Sequence, residues 1–198
     1  MKKFYLIIIV TFFISTTSTS QNVVYGVKAG MNLSKFSGST NDPYSGYDGK
    51  VGFHLGGIIE ISLTEMFSIQ PELLYSYQGT NINSGAGRIG THNVQVPVLG
   101  KYYILDGLSA EAGPVMEYLA SAKYNATLTS EGGRETIDIT DNYKSLNFAF
   151  GFGASYKLIS DLFFGIRYNF GISNINDADL KDSKTKSNVL QLSAGYFF

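Results

Sequence analysis

The feature that most constrains this chain is an alternation of period two in which the two faces differ in bulk. Along a strand successive side chains point to opposite sides, so stretches with an apolar residue at every second position read as β-strands. Eight such stretches follow one another, over 24–34, 51–63, 67–79, 93–104, 108–122, 146–157, 162–173 and 189–198. Turn-forming Gly, Asn, Asp and Ser separate them. One face of each is bulky: Phe67, Ile69, Leu73, Tyr75 and Tyr77 in the third, Phe148, Phe150, Phe152 and Tyr156 in the sixth, Phe164, Ile166, Tyr168 and Phe170 in the seventh. The other face is small and polar, as in Gly151, Gly153 and Ser155 of the sixth, or Gly26, Gly30 and Asn32 of the first.

Two closed sheets fit this pattern. A soluble barrel turns its apolar face inward; a membrane barrel turns it outward. The interior of an eight-stranded barrel is only just wide enough for side chains. The glycine-rich face fits that space and the aromatic face does not. The expected architecture is therefore all-β, an eight-stranded antiparallel transmembrane β-barrel. Short links near 64–66, 105–107 and 158–161 alternate with long polar ones near 35–50, 80–92, 123–145 and 174–188. Short periplasmic turns and long external loops are the habit of outer-membrane barrels. The expectation is thus both termini periplasmic and four long external loops. Phe67, Tyr102, Phe164 and Phe198 would form a lower aromatic girdle; Phe53, Tyr77, Tyr118, Phe148 and Phe170 would form an upper one. Thr127, Thr129, Ile137, Ile139 and Thr140 alternate within the third long link, as a hairpin extending the wall would, with an edge open to a partner strand.

The N-terminus reads as an address. Lys2 and Lys3 precede an apolar run from Phe4 to Ile14, broken only by Thr11, and Ser18 and Ser20 sit at −3 and −1 of a cut before Gln21. The run is too short to span a bilayer, which needs roughly 20 apolar residues. Residues 1–20 are expected to be a cleaved signal peptide and 21–198 the barrel domain. Cleavage takes the net charge from −1 to −3. With no Cys there are no disulfides or thiolate sites, and with no basic excess there is no footprint for nucleic acid.

The ordered pieces Phe67-Ser68-Ile69-Gln70-Pro71-Glu72-Leu73-Leu74-Tyr75-Ser76, Val96-Pro97-Val98-Leu99-Gly100-Lys101-Tyr102-Tyr103, Ala112-Gly113-Pro114-Val115, Gly151-Phe152-Gly153, Arg167-Tyr168-Asn169-Phe170-Gly171-Ile172 and Gln191-Leu192-Ser193-Ala194-Gly195-Tyr196-Phe197-Phe198 carry a resemblance. Together they resemble the small outer-membrane β-barrel domain of Bacteroidetes, the porin-like or PorT-like group. The resemblance implies the outer membrane of a Gram-negative bacterium, lipid as surroundings, and Phe198 as the assembly signal read by the barrel assembly machinery. It names no substrate and no cofactor.

Alternation places seven charged residues inside: Lys28, Glu60, Glu72, Lys101, Glu111, Glu117 and Arg167. Buried charges must be paired. Glu72, Lys101 and Glu111 fall at similar depth on neighbouring strands, which would seat Lys101 between two carboxylates, with Arg167 reaching across bidentately. This reads as a charge-balanced network filling the lumen, or, alternatively, as a gate that re-pairs. Other motifs carry less. Gly85-Ala86-Gly87-Arg88-Ile89-Gly90 matches GxGxxG but lies in a loop before a strand, without the βαβ context that binds nucleotide. His54 points inward as a hydrogen-bonded filler and His92 ends a loop, so no zinc pair forms. No Ser–His pairing or GxSxG is visible. Asn174, Asn176, Asp177, Asp179 and Asp182 read as a solvated loop without EF-hand spacing. The expected role is structural or interactive, with a protein or surface ligand at the external loops and no catalytic or metal site. A narrow gated channel is the alternative, and a barrel enzyme acting on lipid a third reading.

Overall fold

The structure, a computed structural model, describes residues 23–37, 47–82, 87–127, 134–176 and 185–198. The expected leader Met1–Ser20 lies outside the described residues, as do Gly85, Ala86, Thr129, Asp177, Asp179 and Asp182.

The described residues form nine strands: β1 (Val23–Ser37), β2 (Tyr47–Ser62), β3 (Phe67–Ile82), β4 (Gly87–Leu105), β5 (Leu108–Thr127), β6 (Arg134–Asp138), β7 (Leu146–Lys157), β8 (Leu162–Gly171) and β9 (Lys186–Phe197). All pair antiparallel, and all but β6 form a closed eight-stranded barrel. The first and last strands close it, from Gly26 opposite Phe197 to Ser37 opposite Lys186. Closure matters because lipid cannot satisfy an open sheet edge. β6 stands apart, paired with the end of β5 from Lys123–Asp138 to Thr127–Arg134. The hairpin read from the alternation around Thr127 and Ile137 is thus present, as a separate strand rather than an extension of β7.

The two faces fall as bulk requires. Val27, Met31, Leu55, Leu73, Val98, Phe150, Phe152, Phe164, Ile166 and Leu192 are exposed on the outer wall. Asn32, Ser76, Gln95, Gln191 and Ser193 are buried inside. Phe67 lies opposite Tyr102 at one rim and Phe53 opposite Tyr77 at the other.

At the base, which carries both barrel termini, the turns are tight. Thr64 Oγ1 accepts from the N–H of Phe67 at 3.0 Å. The β4–β5 turn needs Gly107, whose φ of 79° lies in the left-handed region and whose missing Cβ would sit 2.3 Å from the Lys157 carbonyl oxygen.

One expected loop is corrected. The link near 80–92 is not long: β3 runs to Ile82 and β4 begins at Gly87. Thr80, Thr91 and Asn93 are buried inward-facing wall residues, so polarity there marks the lumen and not solvent. Gly87 to Gly90 therefore belong to a strand, and His92 lies within β4, its Nδ1 2.5 Å from Tyr75 Oη.

Pro71, Pro97 and Pro114 stand on the neighbouring strands β3, β4 and β5, with Pro71 opposite Val98 and Pro97 opposite Val115. Proline contributes no ladder donor and normally keeps to edges. Here a diagonal of three crosses a wall that has no edge.

Candidate functional site

The lumen is stacked in layers from base to far end. At the base Ile58, Phe163 and Phe197 form an apolar cluster with Val24 against it. The Phe163 and Phe197 rings are 5.0 Å apart. Gly195 makes this possible, since a Cβ there would meet the Phe163 ring at 2.3 Å and the Val27 carbonyl at 2.4 Å.

Beside this cluster Lys101 donates to Glu60 at 2.8 Å and to Gln70 Oε1 at 3.1 Å. Ser68 donates to Glu60 at 2.8 Å, and so does the Tyr103 hydroxyl.

The middle layer is a four-residue cage. Arg167 donates through Nη1 and Nη2 to the two oxygens of Glu72, at 2.8 and 2.7 Å, and through Nε to Glu111 at 2.7 Å. Lys28 donates to Glu72 from the other side at 3.2 Å. Arg167 is 2% exposed and Glu72 3%, so these charges are dry and compensated within the cage.

Of the seven charged residues placed inside, six therefore form ion pairs: Lys28, Glu60, Glu72, Lys101, Glu111 and Arg167. The expected partners need two corrections. Lys101 does not sit between Glu72 and Glu111; although it lies opposite Glu111 in the ladder, its ion pair is with Glu60, and Arg167 takes both other carboxylates. Glu117 stands apart from the ion pairs: its Oε2 accepts from Gln78 at 3.0 Å and Gln95 at 2.6 Å.

Above the cage lies a constellation that the linear sequence hid. His54 is 3.0 Å through Nε2 from Ser193 Oγ and 2.8 Å through Nδ1 from Asn32 Oδ1. The three come from β2, β9 and β1, with His54 reaching over Gly30, where a Cβ would lie 2.7 Å from its ring. This is the order of nucleophile, base and orienter. Its surroundings argue otherwise. Asn32 is tied by Nδ2 to Ser76 Oγ and to the carbonyls of Phe53 and Tyr77, and His54 is 1% exposed in a filled lumen. Ser193 itself is 9% exposed. The triplet packs as a hydrogen-bonded link between β1, β2 and β9.

The far end is closed by a second apolar cluster. Phe36, Ile89, Leu119 and Ala122 turn inward from the wall, and Tyr143 and Ile175 cover them from the connecting segments. Tyr143 bridges to Asn176, and the Lys144 N–H donates to the Ile175 carbonyl at 2.8 Å. Asn174 Oδ1 accepts from the Thr185 N–H at 2.9 Å, so this part of the oxygen-rich link serves as a clasp. Between cage and cap lie two cavities of about 20 Å³ each. Among the described residues no cluster of His, Cys, Asp or Glu could hold a metal.

A closed barrel with an aromatic outer wall, a charged interior and no exposed edge in its ring defines a membrane β-barrel of the outer-membrane type. Residues 19–177 match the family described as "Outer membrane protein beta-barrel domain", and the chain belongs to that family. Comparison with curated proteins finds no match. Among solved structures the fold is similar to the attachment invasion locus protein Ail of Yersinia pestis, at TM-score 0.54 and 14% identity, covering 89% of this chain and 99% of Ail. It is similar too to the Neisserial surface protein A, at TM-score 0.54 and 11% identity, with 89% and 99% covered.

Proposed function

We propose that this protein is a non-conducting outer-membrane barrel that works through its far-end segments. The observation that carries this reading is the closure of the lumen at both ends: Ile58, Phe163 and Phe197 below, and Phe36, Ile89, Leu119, Tyr143 and Ile175 above. The proposal includes export by a cleaved leader, Met1–Ser20, to the outer membrane of a Gram-negative bacterium of the Bacteroidetes, PorT-like type, with both termini periplasmic and Phe198 read by the assembly machinery. No catalytic step is assigned.

The part best suited to a partner is β6. Among the described residues its strand pairings run only to β5, and strand addition to such an edge is a common mode of peptide capture. The Ail structure was solved with the heparin analogue sucrose octasulfate. Here the hairpin carries Lys123 beside Glu135 and Asp138, a mixture that suits a protein strand better than a polyanion.

The test is single-channel recording from the refolded mature protein in a planar bilayer, with folding checked by heat-modifiable gel migration. A silent membrane from folded protein is the expected result. Discrete, reproducible steps would overturn the reading in favour of the narrow gated channel, with solute or ion selectivity the next question.

A further inference from the structure

The outer wall changes character at the far-end rim of β3, β4 and β5. Along β4 the outward positions run from Tyr102 through Val98, Val96 and Val94 to His92 and Arg88. The ten residues from Tyr102 to His92, at about 3.3 Å each and a tilt of about 40°, cover about 25 Å, the height of the apolar band of such barrels. His92 therefore stands where hydrocarbon gives way to headgroups, and Arg88 stands beyond it. On β5, Lys123 lies opposite Gly90, which makes it a diagonal neighbour of both His92 and Arg88. Diagonal neighbours are about 7–8 Å apart, a gap that long side chains cover. Arg88 and Lys123 are exposed, and among the described residues neither is in an ion pair. Asp138, opposite Lys123 on β6, is engaged by the hydroxyl and N–H of Thr140.

A second observation is the way the aromatic platform beneath them is held. The Tyr77 ring lies 4.9 Å from the His92 imidazole and 5.9 Å from Phe53. Gly90 gives it room, since a Cβ there would sit 2.7 Å from the Tyr77 hydroxyl and 2.9 Å from Lys50 Nζ. Lys50 fixes that hydroxyl with a hydrogen bond of 2.9 Å. The Tyr75 hydroxyl lies 2.5 Å from His92 Nδ1. A phenol is the better donor of the two, so Tyr75 donates and the imidazole keeps its hydrogen on Nε2. Among the described residues nothing accepts from Nε2. A guanidinium, an ammonium and an imidazole N–H thus share one outward strip at the edge of the apolar band.

We infer that this strip binds the phosphate of an anionic lipid headgroup. Depth and chemistry select the ligand together. A headgroup phosphate lies at the level of the three donors, and its acyl chains lie along Val94, Val96 and Val98 below them. Arg and Lys make short charge-assisted hydrogen bonds to phosphate oxygens, and the His92 N–H adds a third. The strip is narrow. Asp138 and Glu135 stand on β6, one strand away, so it takes a single phosphate and not a polyanionic chain. With the far end outward, as proposed above, the ligand is a phosphorylated glycolipid of the outer leaflet. That leaflet assignment rests on the proposed orientation; the contact does not.

The experiment uses the folded mature barrel in neutral dodecyl maltoside micelles, where orientation plays no part, so its failure and a failure of the proposed orientation stay distinguishable. Monophosphoryl lipid A, phosphatidylcholine and inorganic phosphate are titrated in turn, and binding is read from the backbone amide signals of Gly90 and Lys123. Lipid A is expected to move those signals saturably, and phosphatidylcholine, whose phosphate is already balanced by choline, to leave them in place. Lys123→Gln or Arg88→Gln should weaken lipid A about fivefold, and the two together about thirtyfold. His92→Phe keeps a ring, loses the donor and should also weaken it. Lys144→Gln makes the same charge change at an exposed residue of a connecting segment and should alter nothing. Equal shifts with lipid A and phosphatidylcholine, or wild-type affinity in the double variant, would overturn the proposal. An equal loss in Lys144→Gln would reduce the effect to net charge and overturn it. Inorganic phosphate binding as tightly as lipid A would make the ligand a soluble anion and overturn it too. If the double variant does not refold, the single variants and the lipid comparison decide.

Discussion

Replacing Arg167 by alanine tests whether the cage is dry. Arg167 makes three charge-assisted hydrogen bonds of 2.7–2.8 Å, two to Glu72 and one to Glu111. After truncation Glu72 retains Lys28 at 3.2 Å, but Glu111 keeps no ion pair. Breaking a buried pair by removing one partner costs about 3–5 kcal/mol, because an uncompensated charge stays behind. Set against a typical domain stability of about 5–15 kcal/mol, that is about a fifth or more. The assay is denaturant unfolding in lipid vesicles, followed by tyrosine fluorescence, since the chain has 14 Tyr and no Trp. The midpoint should fall with little change in slope, the mark of altered stability rather than altered compactness. Arg167→Met with Glu111→Gln removes one charge of each sign and should recover at least half of the loss, with a coupling of about 1.5–3 kcal/mol. An alanine variant within about 1 kcal/mol of wild type, or a double variant no better than the single, would refute the reasoning. Either would mean that water already screens the cage.

Three further outcomes follow from particular contacts. Gly195→Val puts a side chain where the Phe163 ring and Val27 carbonyl stand, so folded, heat-modifiable barrel should be lost on refolding, while a normal yield would sink the close-packed base. Phe152→Arg, on the outer wall beside Tyr168, should destabilise by about 2–4 kcal/mol as a cation facing lipid, whereas Glu135→Lys on β6 should change unfolding by less than about 0.5 kcal/mol; equal effects would contradict the outward assignment. Asp138, above the wall, is held below the ordinary aspartate range by hydrogen bonds from the Thr140 hydroxyl and then its N–H. The stabilisation of this turn is therefore present above that range and lost as pH falls through the depressed value; the Thr140 amide signal should follow that acid transition in wild type and stay flat in Asp138→Asn.

Period two alone reveals the barrel wall, because a one-residue slip would exchange every aromatic for a glycine inside a lumen with no room. The set of inward charges follows from the same parity. Their partners do not. Strand stagger decides which side chains share a depth, and neighbours in the ladder need not pair: Lys101 stands opposite Glu111 yet bonds Glu60. Contacts across the closing seam are hidden for a related reason. His54 and Ser193 are 139 residues apart and meet only because β1 and β9 join. The polar lumen also disguised wall as loop, since Thr80, Thr91 and Asn93 look like solvated residues until the barrel surrounds them. The far-end cap breaks the polar-inside rule outright. Phe36 and Ile89 are inward apolar residues whose partners, Tyr143 and Ile175, come from connecting segments without periodicity.

Those two apolar caps bear on how many copies a cell can carry. An open pore adds a leak with every molecule inserted, so its abundance is limited by the barrier that the membrane must maintain. On the proposed non-conducting reading, a barrel stoppered by Phe163 and Phe197 at one mouth and by Tyr143 and Ile175 at the other adds none. Such a barrel could tile a membrane densely, with its hairpins presented as an array, without changing the permeability of the envelope.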